Sequence, residues 1–185
     1  MYQVLTQNGL RLSFQGEYII KNESVIVFDD WFLPSENELD AMYNNLKVYN
    51  VGNFSNDWYW SSTEGSWAAA ARMISFTDGV KGNGSKENLR AVRAARSFVA
   101  AAEAYELRDT GPAGGLIFYI DGTTYYESSI SNIATNQSWS NITSTQIGAT
   151  AQGTSIGTGL SNSNAIVNQS GHIDSAAKLC LDYLV

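Results

Sequence analysis

The stretch that decides the fold opens with DDWFLPSENEL at residues 29–39, continues with WYWSSTE at 58–64 and closes with LRAVRA at 89–94. Aromatic and aliphatic residues are frequent in it, and large side chains of this kind dominate the energetics of protein cores. Its polar residues form no pattern typical of a catalytic site. The stretch predicts a compact nucleus whose loops present a binding surface, so we expect a binding or structural protein and not an enzyme.

A helix is predicted to begin directly after Pro34. Ser35 followed by Glu38 three residues later is the pattern of a capping box, which satisfies backbone N–H groups at the start of a helix. Apolar residues then recur at helical spacing, at positions 39, 42, 43 and 46. Glu36, Glu38 and Asp40 lie in the first turn, where negative charge suits the helix dipole. We therefore interpret these three acids as structural and not as a catalytic pair.

Three strands are predicted from apolar runs. The aromatic run Trp58–Thr63 predicts a buried strand, and Ala68–Phe76 predicts a second one, although its alanines also favour a helix. Leu116–Ile120 predicts a third strand after a glycine-rich breaker. Turns are predicted at Asp78-Gly79 and at Gly82–Ser85.

Later segments are predicted as helical or loop-rich. Arginines recur every three residues in Leu89–Arg96, and together with the alanine-rich Ser97–Tyr105 this pattern alone fits one helix. Asp174 is a candidate N-cap for a helix over Ser175–Leu184. Ser128–Gln169 is rich in Ser, Thr, Asn and Gly, but its spaced apolar residues predict an ordered, loop-rich segment and not a disordered one.

The N-terminal segment, residues 1–28, has the pattern of short strands separated by turn signals such as Asn8-Gly9. It either attaches the protein to another component as an extra sheet or completes the domain's own sheet. Both interpretations stay open. The predicted strands are Tyr2–Thr6, Arg11–Phe14, Glu17–Ile20 and Val25–Phe28.

The composition restricts the classes of partner. A chain of 185 residues suffices for one domain of ordinary size. The net charge is −7 and basic residues are few, which argues against nucleic acid, because affinity for it comes largely from Lys and Arg. Neither a signal peptide nor a membrane-spanning run is visible, so we expect any export to use a route other than ordinary secretion.

The chain contains one cysteine and one histidine. Cys180 lies in an apolar stretch and is predicted to be a small core residue. A zinc site needs more ligands than Cys180 and His172 supply. We expect no cofactor.

Several of the quoted segments carry a family resemblance. The segments at 31–39, 59–64 and 92–94, together with GPAGGLIFYID at 111–121 and SAAKLC at 175–180, resemble the C-terminal domain of the Lcl-type, collagen-like bacterial adhesins. This family is found in bacterial surface proteins and in phage tail and fibre proteins. The resemblance implies an α+β fold of the C-type-lectin-like type, with two helices and a mostly antiparallel sheet.

The matching segments stand in a different order from that of the family, which implies a circular permutation. Residues 29–96 correspond to the C-terminal half of the family domain, and residues 108–185 to its N-terminal half. Residues 97–107 would then be a connector between the old termini. Permutation is tolerated where the termini lie close together at the surface. Exchange of strands between subunits, which would link an oligomer, is the competing explanation.

The resemblance also implies roles for single segments. It makes 89–95 a strand of the core, against the helical pattern of its arginines. Arg93 is then expected to be a structural partner in an ion pair. The related formylglycine-generating enzymes need a reactive cysteine, whereas Cys180 lies in the interior of a predicted helix, so an enzyme is not expected.

The function implied is that of a phage virion structural protein, in a tail or head fibre or as capsid decoration, whose lectin-like module adsorbs to a host-surface glycan. The alternative is a bacterial cell-surface adhesin domain. In the first interpretation the protein is located in the virion. Its partners are other virion proteins and further copies of itself, in a homo-oligomer such as a trimer.

The loops Gly65–Trp67 and Thr77–Asn88 are the expected ligand-binding surface. Trp67 would stack on a sugar ring, while Asn83 and Asn88 would form hydrogen bonds to it. No obligatory metal is expected, because the usual sugar-binding triplets of animal lectins are missing even though acidic and amide residues cluster near Asp57.

Overall fold

The computed structural model describes residues 26–185 and, nearer the N-terminus, two short antiparallel strands, β1 (Arg11–Leu12) and β2 (Tyr18–Ile19). Both strands fall within segments predicted as strands. The predicted strand Tyr2–Thr6 lies outside the described residues. Residues 26–28 belong to no regular strand.

The fold is α+β, as the sequence predicts. Over residues 26–185 it has three α-helices and eight strands. The elements are α1 (Glu36–Asn45), β3 (Trp58–Glu64), β4 (Ala70–Ser75), β5 (Lys81–Ser85), β6 (Arg90–Val92), β7 (Ala95–Val99), β8 (Leu116–Asp121), β9 (Thr124–Ser128), β10 (Ala134–Gln137), α2 (Gly159–Val167) and α3 (Ala176–Leu181).

These eight strands form two mostly antiparallel sheets. The larger has the order β10-β6-β3-β4-β5, in which only the β3–β6 pair is parallel. The smaller has the order β7-β9-β8. Only residues 93–94 separate β6 from β7. The chain therefore passes directly from one sheet to the other at Arg93.

The start of α1 confirms the predicted capping box. The Ser35 hydroxyl accepts a hydrogen bond from the Glu38 N–H at 3.3 Å, and the Glu38 carboxylate accepts one from the Ser35 N–H at 2.6 Å. Leu39 and Met42 are fully buried on the inner face of the helix. Local sequence therefore determines where this helix begins, and its apolar face determines how it packs.

The other two acids predicted to be structural, Glu36 in the first turn of α1 and Asp40 just after it, form such contacts. Glu36 accepts a hydrogen bond from Nε of Arg72 in β4 at 2.9 Å, and Nη2 of the same arginine lies 2.8 Å from the same carboxylate oxygen. Asp40 forms an ion pair with Lys81 of β5 at 3.1 Å. These pairs hold α1 against the larger sheet.

The number of helices differs from the two that the resemblance implies. Helix α2 lies in the segment that was predicted to be loop-rich. At α3, Ser175 and not Asp174 is the N-cap, because its hydroxyl accepts the Lys178 N–H at 2.9 Å. The helix also ends at Leu181, three residues before the predicted end.

The turn predicted at Gly82–Ser85 is wrong, since these residues form most of strand β5. A Cβ on Gly82 would lie 3.2 Å from the Trp58 ring, and one on Gly84 would lie 2.8 Å from the Trp60 ring. The glycines therefore make room for tryptophan rings that extend across the sheet from β3. They do not mark a chain reversal.

The arginine-rich segment forms strands, as the resemblance implies and against the helical pattern. It contributes β6 and the start of β7. Residues 97–99 of the predicted connector continue β7, which pairs with β9. Turns and irregular structure follow from Ala100 to Leu107.

The two sequence halves share one hydrophobic interior. One buried cluster combines Trp31 and Trp60 from the first half with Trp139, Ile166 and Cys180 from the second. A second cluster joins the first half to β8 and β9 in the same way. Both sheets also contain strands from both halves. The halves therefore fold together and not as separate units.

The last residue of the chain lies beside the start of the domain. The N–H of Phe28 donates to the Val185 carbonyl at 2.8 Å, and the N–H of Val185 donates to the Phe28 carbonyl at 3.2 Å.

Within the described residues, no helix has both the length and the apolar character needed to cross a membrane.

Candidate functional site

Two of the three predicted ligand residues lie at one end of the larger sheet. Trp67 is in the loop between β3 and β4 and is 54% exposed. Asn88 is in the turn between β5 and β6. Lys86, the first residue of this turn, donates its N–H at 2.8 Å to the carbonyl of Ala69, the last residue of the loop that carries Trp67. We call the loop Gly65–Ala69 and the turn Lys86–Leu89 together the Trp67 surface.

The third predicted residue, Asn83, lies apart from this surface. It pairs with Arg72 in the middle of the edge strand β5, and it is exposed. Side chains alternate along a strand, and Gly82 and Gly84 face the tryptophan rings, so Asn83 points to the other face of the sheet. The structure therefore brings Trp67 and Asn88 to the same end of the sheet and leaves Asn83 outside the group.

A fully buried ion pair lies beneath the Trp67 surface. Lys86 Nζ is 2.7 Å from Glu64 Oε1, and neither side chain is exposed. Lys86 also donates to the Thr145 carbonyl at 3.2 Å and lies 4.8 Å from the centre of the Trp139 ring. The pair joins the end of β3 to the start of the turn before β6, so it holds both parts of the surface together.

The Glu64 carboxylate also holds a third segment in place. It accepts the N–H of Ile147 at 2.9 Å and the N–H of Gly148 at 2.8 Å. The side chains of Gln146 and Gln152 donate to the Gly65 carbonyl at 3.3 and 3.4 Å. Both oxygens of the Glu64 carboxylate thus accept hydrogen bonds from the protein itself. The loop that carries Trp67 is held at Gly65 by the hydrogen bonds from Gln146 and Gln152.

A second ionic cluster connects the two sequence halves. Arg96 binds Asp30 through two nitrogens, at 2.7 and 2.9 Å, and binds Glu127 at 2.9 Å. Glu127 in turn accepts the N–H groups of Ala113 and Gly115, at 3.1 and 2.7 Å. Bidentate pairing of arginine with a carboxylate fixes direction as well as distance. The cluster therefore orients the glycine-rich turn before β8.

Arg93 departs from its predicted role. It is fully buried, but among the described residues it forms no ion pair. Its partners are the carbonyls of Ser129 at 2.7 Å and Asn53 at 3.3 Å, and its guanidinium lies 3.9 Å from the centre of the Phe54 ring. Burial lowers the pKa of Arg93 to about 10, and interactions with Tyr59 partly oppose this shift. Its role is structural, as predicted, but the expected ion pair is not formed with any described residue.

One hydroxyl–imidazole pair has the spacing of a nucleophile and its base. His172 Nε2 is 2.9 Å from Ser175 Oγ. Ser175 is fully buried, however, and the same oxygen caps α3. A nucleophile must reach its substrate, so the pair is an N-cap contact.

Burial also raises the pKa of the Cys180 thiol well above 9.0, which keeps this side chain protonated.

Metal ligands do not converge in the part of the chain from residue 26 onward: no three His, Cys, Asp or Glu side chains are grouped closely enough to hold an ion. Comparison of the chain with protein-family models, curated proteins and solved structures finds no match. The Trp67 surface, with its exposed ring above a buried ion pair, is the candidate functional site. The sequence alone does not indicate the role of Lys86 at this site, because its partner Glu64 is 22 residues away in the sequence.

Proposed function

We propose that the protein is a structural component of a phage particle, in a tail or head fibre or as capsid decoration, and that its lectin-like module adsorbs to a host-surface glycan through the Trp67 surface. One observation carries the proposal: a large aromatic ring is exposed on a loop that buried charges hold rigid. Trp67 is 54% exposed, and the Glu64–Lys86 pair beneath it is fully buried.

An exposed tryptophan suits a sugar ligand because a flat apolar ring can stack on the C–H face of a pyranose. Its large contact area requires few rotatable bonds, so little conformational entropy is lost on binding. Asn88 lies at the same end of the sheet and can supply hydrogen bonds. The bound Glu64 carboxylate fixes the loop before the ligand arrives, which lowers the cost of ordering it.

The lectin-like, circularly permuted architecture is part of the same proposal. The mutual hydrogen bonds of Phe28 and Val185 support it, because a permuted chain requires the old connection to be short. The shared interior of the two halves supports it too. A chain that starts at Glu103, joins Val185 to Phe28 by a short Gly/Ser linker and ends at Ala102 is expected to have the same far-UV spectrum as residues 28–185 in their natural order. A rearranged chain that stays unfolded would argue against this architecture.

Glycan-array binding of the whole protein tests the ligand. The wild type is expected to bind a restricted set of host-surface glycans, and Trp67→Ala is expected to reduce that signal about tenfold or more, in line with the loss of one stacked aromatic anchor. Ile173→Ala is the control, because Ile173 is 75% exposed and lies away from the Trp67 surface. Binding that survives Trp67→Ala unchanged contradicts the proposed site.

Immunogold labelling tests the location. Antibody against the protein is expected to decorate purified phage particles at a fibre or on the capsid. Labelling confined to the bacterial cell surface would instead identify an adhesin domain. It would not change the result of the glycan array.

A further inference from the structure

A small cleft opens at the other end of β3, away from the Trp67 surface. It has a volume of about 110 Å³ and is lined by Lys47, Asn50, Val51, Asn53 and Phe54. None of these residues is acidic. Drug-sized ligands occupy pockets of roughly 300–1,000 Å³, so this cleft is the size of a single functional group and not of a whole ligand.

The backbone around the cleft is held in an unusual conformation. Asn50, Gly52 and Asn53 have φ values of 56°, 83° and 53°, all in the left-handed region. Turns of this kind direct successive N–H groups into concavities that bind anions. Gly52 and Phe54 are buried, and no hydrogen bond to another described residue is made by the N–H groups of residues 52–54. These N–H groups are therefore available to donate to a ligand or to solvent.

The Asn53–Phe54 peptide shows which way one of these donors points. The Asn53 carbonyl is directed at the buried guanidinium of Arg93, at 3.3 Å. In a trans peptide the C=O and the following N–H point in opposite directions. The N–H of Phe54 therefore points away from the buried arginine and towards the outer side of the loop.

Two cations lie close to this loop. Lys47 Nζ donates one hydrogen bond to the Phe54 carbonyl at 2.9 Å, and an ammonium has three donors. Arg93 lies behind the loop, fully buried and without a carboxylate partner among the described residues. An uncompensated buried charge is costly, and an anion placed nearby would offset part of that cost.

We propose that this cleft is an anion-binding site that takes one carboxylate or phosphate group, held by Lys47 Nζ and the Phe54 N–H, with the positive charge of Arg93 on the far side of the Asn53–Phe54 peptide. The site is separate from the Trp67 surface and does not depend on glycan binding there. Its ligand comes from one of two sources, an acidic sugar or a free phosphate, and these share the chemistry that the cleft recognises.

Amide-detected NMR titration of the whole protein tests the site. Sodium phosphate and sodium glucuronate are added separately at constant ionic strength, with glucose as the neutral control. The Phe54 amide signal is expected to shift in a saturable way, with a dissociation constant of the order of 1 mM for a site of this size. Saturation by phosphate alone identifies phosphate as the ligand, whereas saturation by glucuronate identifies a sugar carboxylate. Glucose is expected to cause no shift.

Charge variants separate a built site from general screening. Lys47→Gln and Asn50→Asp are each expected to weaken binding about tenfold, because one removes a cationic donor and the other places a negative charge in the cleft. Asp tolerates the left-handed conformation of residue 50, so this variant keeps the test decisive if Lys47→Gln fails to fold. Lys81→Gln removes the same charge at a distant exposed pair and is expected to bind like the wild type.

Three results would overturn the proposal. They are the absence of saturation with both anions, a Phe54 shift that glucose reproduces, and equal affinity in the Asn50→Asp and Lys81→Gln variants. Trp67→Ala is expected to leave the titration unchanged, so failure of the glycan proposal and failure of this one are distinguishable.

Discussion

Lys86 and Arg93 are both fully buried basic residues, but their surroundings are opposite. Lys86 is neutralised by Glu64, whose remaining acceptor capacity is filled by backbone N–H groups. Among the described residues, Arg93 is surrounded by carbonyl oxygens, the face of Phe54 and Tyr59, and by no carboxylate. The buried cation near Trp67 is therefore matched by a carboxylate, while the buried cation near the other end of β3 has no carboxylate partner among the described residues.

The difference shows how buried charge can serve two purposes in one small domain. A matched pair is costly to break because either partner alone would be left uncompensated. An unmatched cation is held by neutral groups and adds to the local positive potential. The first arrangement fixes a loop surface, and the second prepares a cleft for an anion. Each can be tested by removing one charge at a time.

Lys86→Met should have the largest effect on stability. It leaves the Glu64 carboxylate buried without a cation, and removal of one member of a buried pair costs about 3–5 kcal/mol. Urea unfolding measures the loss. The double variant Lys86→Met/Glu64→Gln is expected to recover part of it, because no net charge remains buried.

Lys81→Met is the matched control for that prediction. Its pair with Asp40 is partly exposed, and pairs of this kind contribute about 1 kcal/mol or less. If Lys86→Met were no more damaging than Lys81→Met, the Glu64–Lys86 pair would not be the element that fixes the Trp67 surface.

Arg93→Met should cost less, about 2 kcal/mol, although the side chain it removes is also fully buried. No carboxylate among the described residues loses its partner. Among the described residues, the loss comprises the donors to two carbonyls, the contact with the Phe54 ring and the interaction with Tyr59. Urea unfolding beside Lys86→Met gives the comparison directly. Equal losses for the two variants would mean that Arg93 has an anionic partner in the folded protein.

Sequence reasoning succeeded where the determining contacts are local. The capping box of Ser35 and Glu38 spans three residues, and the structure confirms it. Strands β3, β4 and β8 also follow from apolar runs. In each case neighbours in the sequence suffice to select the backbone conformation.

It failed where distant residues decide. The glycines of β5 predict a turn, but their period of two, at 82 and 84, is the signal of one strand face lying beneath bulky rings. Helix α2 has no side-chain cap. Instead, Ser163 exchanges hydrogen bonds with the backbone of Leu33, 130 residues away. Contacts of this range leave no mark in the local pattern. For the same reason, the Glu64–Lys86 pair was not predicted.

Glu38 extends the comparison to an acid. It is fully buried and, among the described residues, has no cationic partner, and burial raises its pKa above 4.5, partly opposed by hydrogen bonds from Ser35 and Gly157. The folded protein therefore holds this proton more tightly than the unfolded chain does. Stability from this group is present at low pH and falls as the pH rises from 4.5 through the higher folded pKa.

Glu38→Gln is expected to remove that slope, because Gln keeps the capping-box position without a charge. The free energy of unfolding of the two proteins, measured by urea titration between pH 4 and about 7, should diverge with the wild type losing ground as the pH rises. Parallel curves would contradict the assignment of a buried, unpaired carboxylate.

Trp67→Ala should have the smallest effect on stability, about 0.5 kcal/mol or less, because the ring is more than half exposed and the ion pair beneath it is untouched. Thermal unfolding, compared with the wild type, measures it. A small change in stability combined with a large loss of glycan binding would show that the ring serves recognition. A loss of 2 kcal/mol or more would instead place Trp67 among the residues that hold the loop, and the rigid surface attributed to Glu64 and Lys86 would then depend on the ring itself.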